Sequence, residues 1–231
     1  MPRRARMYIA GLPFHVIQRG NNRQPCFFDA DDRHLYLHLL AASLHRYEVA
    51  LHAFVLMTNH VHLLMTPHAG DGVSRVMRVT GSRFAQAMNR KYERTGSLWE
   101  GRHKASVVQE DSYLLRCYRY IESNPVRAGM VSSPAAYRWS SYRANALGES
   151  QSWLQTHDTY QVLGATPASR QAAYRGLFDA ADTAGADQVI RAAASACIPL
   201  GSAEFRTQVA AMTGHAPLYS RRGRPALSQS G

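Results

Sequence analysis

Two histidines stand two positions apart in the apolar stretch Phe54-Val-Leu-Met-Thr-Asn-His60-Val-His62-Leu-Leu-Met-Thr66. The β-prone residues around them predict a buried strand. Because alternate side chains of a strand share one face, His60 and His62 would lie side by side. Imidazole binds many divalent metals, so this pair is a candidate half-site, although most His-x-His pairs in strands are structural. Buried imidazoles also need partners for their nitrogens.

A tyrosine and an asparagine four residues apart could complete such a site. A helix is predicted over residues 113–123, with Tyr120 inside it and Asn124 directly at its end. Because the two residues are four apart, they are expected on one helical face. With Arg116 they form a polar line that is expected to point away from the core. The phenol could then attack a phosphodiester while His60, His62 and the amide oxygen of Asn124 hold a cation on the phosphate.

A second tyrosine on the same helix is the nearest rival nucleophile. Tyr118 is followed four residues later by Glu122, whose carboxylate is also able to bind a metal. The apolar neighbours of Tyr118 favour the packed side of the helix for this residue. Spacing alone leaves both pairs open.

Charge indicates a polyanionic partner. The chain has 231 residues and a formal net charge of +11, from 27 Lys and Arg against 16 Asp and Glu. Residues 1–145 carry 20 basic and 10 acidic residues, hence +10, whereas residues 146–231 carry 7 and 6, hence +1. A positive field concentrated on one region favours nucleic acid as the partner, although a basic solvated surface has the same composition. Charge does not distinguish DNA from RNA.

Several basic and amide side chains are candidate DNA contacts. One group crowds the turn that follows the first predicted strand, where the alternative is ordinary turn chemistry. The others flank the candidate site along the chain. The predicted DNA-binding residues are Arg19, Asn21, Asn22, Arg23, Arg102, Lys104, Arg119 and Arg127. The remaining histidines, His15 among them, are assigned to structure or surface.

The order of predicted elements indicates an α+β fold. Strands are predicted over residues 13–19, 49–57, 60–66 and 98–109, the last kinked at Gly101, and helices over 29–46, 72–94 and 113–123. This order predicts a ferredoxin-like antiparallel sheet with helices packed on one face. The two domains expected are a catalytic one, residues 1–145, and a region of connector and helices, residues 146–231. In the latter, a C-terminal helical extension is predicted over 168–182, 185–197 and 202–213, before a basic tail at 220–225.

Cysteine usage and hydropathy place the chain in the cytoplasm, where a DNA-binding protein would be associated with the nucleoid. The three cysteines are far apart and have no Cys-x-x-Cys spacing, which is typical of reduced thiols. No run of 18 apolar residues and no signal-peptide pattern occurs, so no membrane partner is expected.

Five ordered motifs carry a family resemblance over roughly residues 8–145. They are His15-Val-Ile-Gln-Arg-Gly-Asn-Asn22, Met57-Thr-Asn-His-Val-His-Leu-Leu64, Leu98-Trp-Glu-Gly-Arg102, Tyr120-Ile-Glu-Ser-Asn-Pro-Val-Arg-Ala-Gly129 and Trp139-Ser-Ser-Tyr142. The sequence resembles the single-tyrosine HUH transposases of the IS200-like superfamily, and most closely the REP-associated tyrosine transposases. The resemblance identifies His60 and His62 as the HUH pair, Tyr120 as the nucleophile and Asn124 as the third metal ligand. Other members of the family carry Gln at that third position.

The resemblance implies a metal-dependent single-stranded DNA transposase or endonuclease. It implies cleavage and rejoining of REP-like repeat or hairpin DNA through a 5′-phosphotyrosine intermediate, with Mg²⁺ or Mn²⁺ as the only cofactor. Two alternatives stay open: a non-cleaving repeat-DNA-binding regulator with the same fold, and a hydrolytic nuclease without a covalent intermediate. Monomer and homodimer are both compatible with the sequence.

Overall fold

Four strands form one antiparallel sheet at the centre of the molecule. The computed structural model describes residues 9–110, 112–179 and 184–214. The strands are β1 (Phe14–Arg19), β2 (Val49–Leu56), β3 (His60–Pro67) and β4 (Lys104–Val107), in the order β2-β3-β1-β4. With the helices between them, this is the predicted α+β, ferredoxin-like arrangement, which confirms the fold class.

The fourth strand is shorter than predicted. Residues 98–103 form turns, and only Trp99 of this segment bridges to Gly20. Gly101 has a φ of +70°, a left-handed conformation that turns the chain out of the extended path. The kink predicted at Gly101 therefore lies before the first residue of β4.

Two long helices cover one face of the sheet, as predicted. They are α1 (Ala30–Arg46) and α2 (Gly72–Lys91). Strand side chains such as Val16, Val61 and Leu63 alternate towards them and are fully buried. Lys91, at the end of α2, contacts both carboxylates of the α1 capping box, Asp29 at 2.6 Å and Asp32 at 2.8 Å. The C-terminal end of α2 is thus bound to the N-terminal end of α1.

The opposite face of the sheet carries a second helical layer, so the prediction that the helices pack on one face is wrong for the helix predicted over 113–123. The helices α3 (Ser112–Glu122) and α8 (Ala184–Ala196) pack on it, α3 over β2 and β3 and α8 over β4 and β1. The other helices of this part of the chain are α4 (Asn124–Arg127), α5 (Tyr142–Leu147), α6 (Asp158–Gln161), α7 (Pro167–Gly176) and α9 (Ala203–Thr213). Short 3-10 turns span Asn21–Arg23 and Pro134–Ala136.

The C-terminal helices form close to their predicted positions and pack on the sheet domain. The expected boundary at residue 145 falls inside α5, and α7 and α8 contact α5 and α3 respectively. Two backbone hydrogen bonds join the end of β4 to the segment before α9, from Gln109 N to Leu200 O and from Leu200 N to Val107 O, each 2.8 Å. The basic tail at 220–225 lies outside the described residues.

Candidate active site

The histidine pair lies where β3 begins, on the face covered by α3 and α8. The register pairs Arg19 with His60 and Ile17 with His62, so these four side chains share one face with His15. The His60 and His62 rings are 5.0 Å apart between centroids. His62 is 3% exposed, whereas His60 is only partly buried. The predicted pair is therefore formed, with its more accessible member at the end of the sheet.

Each histidine of the pair has a partner at its Nδ1 atom. His60 Nδ1 donates to Asn59 Oδ1 at 2.7 Å, and Asn59 Nδ2 donates to the carbonyl oxygen of Arg23 at 2.8 Å. His62 Nδ1 lies 2.8 Å from Nε2 of His15. These contacts occupy the Nδ1 side of both rings, so Nε2 is the atom on each ring that a metal would use.

Tyr120 lies against the same rings. Its ring centroid is 5.8 Å from that of His62 and 5.7 Å from that of His15, edge to face in both cases. The expectation that Tyr120 points away from the core is wrong, because the residue is only 4% exposed and belongs to the apolar cluster beneath the second helical layer. The phenol reaches the histidines because α3 lies on their face of the sheet.

An arginine stacks on the tyrosine ring. The guanidinium carbon of Arg127 is 4.2 Å from the centroid of Tyr120, and Nη2 donates to the carbonyl oxygen of Tyr120 at 2.9 Å. Nη1 of the same arginine donates to Asp187 Oδ2 in α8 at 3.1 Å. A positive charge therefore lies over the ring of Tyr120.

Asn124 begins α4, one turn beyond Tyr120. Its Nδ2 donates to the carbonyl oxygens of Tyr120 at 3.0 Å and Ile121 at 3.2 Å, which fixes the amide at the end of α3. Oδ1 is then the atom that would face a cation. In the part of the chain that the structure describes, no three His, Cys, Asp or Glu side chains form a metal site. Two imidazoles and one amide oxygen are nevertheless, by the chemistry of the donors, a set that Mn²⁺ accepts.

The histidines are uncharged at neutral pH. Burial, and secondarily the charge of Arg19, lowers the pKa of His60 to about 4. Burial also lowers the pKa of His62 well below its ordinary value, with further contributions from neighbouring positive groups. The pKa of His15 falls to about 3, mainly through burial and then through the charge of Arg127. Neutral imidazole is the form that binds metals.

The rival pair is placed elsewhere in the core. Tyr118 is fully buried against the rings of His52, Tyr160 and Tyr174. Glu122 is also fully buried, and its carboxylate accepts hydrogen bonds from side chains of three other residues. Between the two tyrosines, only Tyr120 has ring contacts with His62.

Comparison with known proteins identifies the family. The sequence model of the family described as "Transposase IS200 like" matches residues 8–124, half of the chain. The chain belongs to the IS200-like transposase family. The fold of this transposase is similar to that of a solved REP-associated tyrosine transposase bound to a REP hairpin. The TM-score is 0.56 and the identity 18%, over 69% of this chain and 93% of that chain.

A putative transposase from Deinococcus radiodurans R1 is less similar, with a TM-score of 0.36 and 23% identity over 47% of this chain and 88% of that chain. None of the curated proteins compared matches the transposase. Within its described residues, no helix is both long enough and apolar enough to cross a membrane.

The predicted DNA contacts of the transposase fall into two groups. Asn21, Asn22, Arg23 and Arg102 are exposed, and Arg19 is partly buried opposite His60. The other three are engaged by α8: Arg119 Nη2 donates to Asp187 at 3.0 Å, Arg127 contacts the same carboxylate, and Lys104 Nζ donates to Ser195 O at 3.2 Å. As DNA contacts, all eight remain predictions.

Three residues at the site were missed by sequence reasoning. His15 and Asn59 bind the Nδ1 atoms of the histidine pair, and Asp187 binds the two arginines beside Tyr120. Asn59 precedes His60 directly, so its proximity could have been noticed. The other two contacts span 47 and 68 positions of sequence, and only the strand register and the placement of α8 reveal them.

Proposed function

We propose that this transposase cleaves and rejoins single-stranded repeat or hairpin DNA through a covalent bond between Tyr120 and a 5′-phosphate. The observation that carries the proposal is the convergence of Tyr120, His60 and His62 at one end of the sheet, with ring centroids within 5.8 Å of His62. Arg127, stacked on the phenol, supports the same assignment. The solved structure of similar fold holds a REP hairpin, which supports hairpin DNA as the ligand.

In the proposed reaction Tyr120 Oη forms a bond to phosphorus while the bond from phosphorus to the 3′-oxygen breaks. The phenol gives up its proton, and the departing oxygen takes one to become a 3′-hydroxyl. Attack of that hydroxyl, or of another, on the phosphotyrosine reverses the step, so no nucleotide cofactor is needed. Arg127 stabilises the negative charge that develops on the phenol oxygen.

His60, His62 and Asn124 would hold Mg²⁺ or Mn²⁺ at this site. A divalent cation, when bound, supplies Lewis acidity that polarises the scissile phosphate. The contribution of the chain is orientation: the strand register places the two imidazoles, and the helix end places the amide.

The test is a covalent adduct. The protein is mixed with labelled single-stranded repeat hairpins and Mn²⁺, denatured and run on a gel. A shifted band is expected that is lost in Tyr120→Phe, lost with EDTA and restored by Mn²⁺. Tyr118→Phe is the matched control, because it removes the hydroxyl of a buried tyrosine two residues away and should leave the band unchanged.

Other gel results would contradict the proposal. Cleaved DNA without an adduct, with resealing blocked by a modified substrate, would favour a hydrolytic nuclease. An adduct that persists in Tyr120→Phe would move the nucleophile elsewhere.

One observation favours a second function, a non-cleaving repeat-DNA-binding regulator. Tyr120 is only 4% exposed, Arg127 stacks on its ring and Asp187 of α8 holds that arginine, so little of the tyrosine side chain is open to a ligand. Tight hairpin binding with neither cleavage nor adduct would support this function.

A further inference from the structure

We propose that His15 is a positioning residue that keeps the proton of His62 on Nδ1, so that Nε2 presents its lone pair to the cation. The inference rests on the proposed metal-dependent function. It concerns a residue of β1 that neither spacing nor motif assigns to the site.

The geometry of the contact is that of a hydrogen bond between two rings. Nε2 of His15 and Nδ1 of His62 are 2.8 Å apart. The ring planes differ by only 19° and the centroids are 5.0 Å apart, so the rings meet edge to edge. Both residues are at most 3% exposed, which excludes bulk water as a competing partner.

A contact between two neutral imidazole nitrogens contains one proton, and its position decides what His62 can do. If His15 is the donor, His62 carries its own proton on Nε2 and has no lone pair there for a metal. If His62 donates from Nδ1, its Nε2 is free to bind a cation. A metal-binding His62 therefore requires His15 to be the acceptor, with the proton of His15 on its own Nδ1.

The second ligand of the pair has the same arrangement. Asn59 presents its oxygen to His60, because its nitrogen is committed to the carbonyl oxygen of Arg23. His60 is thereby fixed as the Nδ1–H form. Two different neighbours, an amide and an imidazole, thus impose one tautomer on both predicted ligands.

A purely structural role does not explain the chemistry of His15. Its Nδ1 is buried and has no hydrogen-bond partner among the described residues, a state that native proteins rarely retain. The flanking residues Phe14 and Val16 are apolar and fully packed. An apolar residue at position 15 would avoid the unsatisfied atom, whereas only a residue with an acceptor can hold His62.

The first measurement is the tautomer itself in the metal-free protein. Long-range ¹H–¹⁵N spectra of labelled wild-type protein distinguish a protonated from an unprotonated ring nitrogen. We expect His62 as the Nδ1–H form in wild type and a gain of the Nε2–H form in His15→Phe. A wild-type spectrum with His62 protonated on Nε2 would overturn the inference. Because this measurement uses the wild-type protein, it does not require any variant to fold.

The second measurement is Mn²⁺ binding without DNA, followed by electron paramagnetic resonance. His15→Phe should weaken binding by about 10–100-fold, the usual effect of removing such a partner. His15→Gln keeps an acceptor oxygen and should lose less. His52→Phe is the matched control: it removes a buried histidine of β2 that binds Gln155 O and Thr66, and should leave Mn²⁺ affinity unchanged.

The outcomes separate the inference from the function on which it rests. Mn²⁺ uptake that is equal in wild type and His15→Phe would overturn the role of His15 alone. No Mn²⁺ uptake by wild type would overturn the proposed metal site, and the inference with it. Normal uptake and tautomers without a DNA adduct would contradict the cleavage chemistry and leave His15 in place.

Discussion

At the scale of single residues, Glu122 is a buried carboxylate that three other side chains hold in place. Its carboxylate accepts from Ser141 Oγ at 2.5 Å, Asn145 Nδ2 at 2.8 Å and Tyr174 OH at 2.6 Å. Burial raises its pKa to about 7, although these hydrogen bonds act in the opposite direction. Glu122 thus joins the helix that carries Tyr120 to α5 and α7.

This raised pKa predicts a pH-dependent stability that Glu122→Gln removes. Between the unfolded value of 4.5 and about 7 the folded state holds an extra proton, so this group's contribution to the free energy of unfolding falls as pH rises through that window. As pH rises through this window, the free energy of unfolding of Glu122→Gln should therefore increase relative to that of wild type. The increase is a few kcal/mol at most, because one pKa unit is about 1.4 kcal/mol. Urea unfolding from pH 4.5 to 8 measures this difference.

The buried histidines titrate in both proteins and cancel in the comparison. A difference between Glu122→Gln and wild type that stays constant over the whole pH range would contradict the assignment. The variant should fold, because glutamine keeps the shape and one acceptor oxygen, and Tyr174 OH can accept from the new amide.

At the scale of elements, α8 is attached to the site by one carboxylate between two arginines. Asp187 binds Arg119 of α3 and Arg127 of α4, and the Arg119 and Asp187 side chains are only 9% and 10% exposed. Removing one member of a buried ion pair leaves the other charge without compensation.

Asp187→Leu should accordingly lower the free energy of unfolding by about 3 kcal/mol or more. Adding Arg119→Met should recover the part of the loss that comes from the uncompensated charge of Arg119, whereas the less buried Arg127, 25% exposed, keeps its charge without this partner. Glu149→Gln is the control: it breaks an exposed pair with Arg143, 42% and 46% exposed, and should cost less than about 1 kcal/mol. Equal losses in Asp187→Leu and the double variant, measured by chemical denaturation, would show that the uncompensated charge of Arg119 is not a cause of the loss.

The sequence predicted what depends on local periodicity and missed what depends on distant contacts. Strand alternation predicted the proximity of His60 and His62, and helical spacing predicted that of Tyr120 and Asn124. The burial of Tyr120 was missed because the covering layer includes α8, whose Asp187 lies 68 positions beyond Arg119. The role of His15 depends on the β1–β3 register, which no pattern within either strand specifies. The start of β4, which is its end nearest the site, was predicted too early in the chain. Gly101 has a left-handed conformation and turns the chain away from the strand in spite of the β-prone residues around it.

At the scale of the whole molecule, charge and accessibility are unevenly distributed. Residues 1–145 carry nearly all of the net charge, yet Arg119, Arg127 and Lys104 are partly satisfied by α8. The turn with Asn21, Asn22 and Arg23 is exposed at the end of the sheet where the histidine pair lies, and it remains a predicted contact for a phosphate backbone.

Hairpin binding should weaken steeply with salt. About five phosphate contacts to a single strand, at a slope of roughly −0.7 each, give an about 100-fold loss of affinity between 50 and 200 mM salt. Arg23→Gln should make the slope of log K against log salt shallower by about 0.7, the contribution of one phosphate contact. Arg46→Gln, an exposed arginine just before β2 at the opposite end of the sheet, should leave the slope unchanged. Fluorescence anisotropy with a labelled hairpin measures both, and equal slopes for the two variants would exclude this turn from the DNA interface.

The way Arg23 supports Asn59 has a consequence for how the family can diversify. The support comes from the main-chain carbonyl of residue 23, not from its side chain. Nearly every amino acid supplies that carbonyl, although the φ of +58° disfavours bulky branched residues and excludes proline. If Arg23 contacts DNA as predicted, its side chain can be exchanged to suit a new DNA partner while the carbonyl that orients His60 through Asn59 is kept. The predicted DNA contact and the orientation of a predicted metal ligand would then be separable at a single residue.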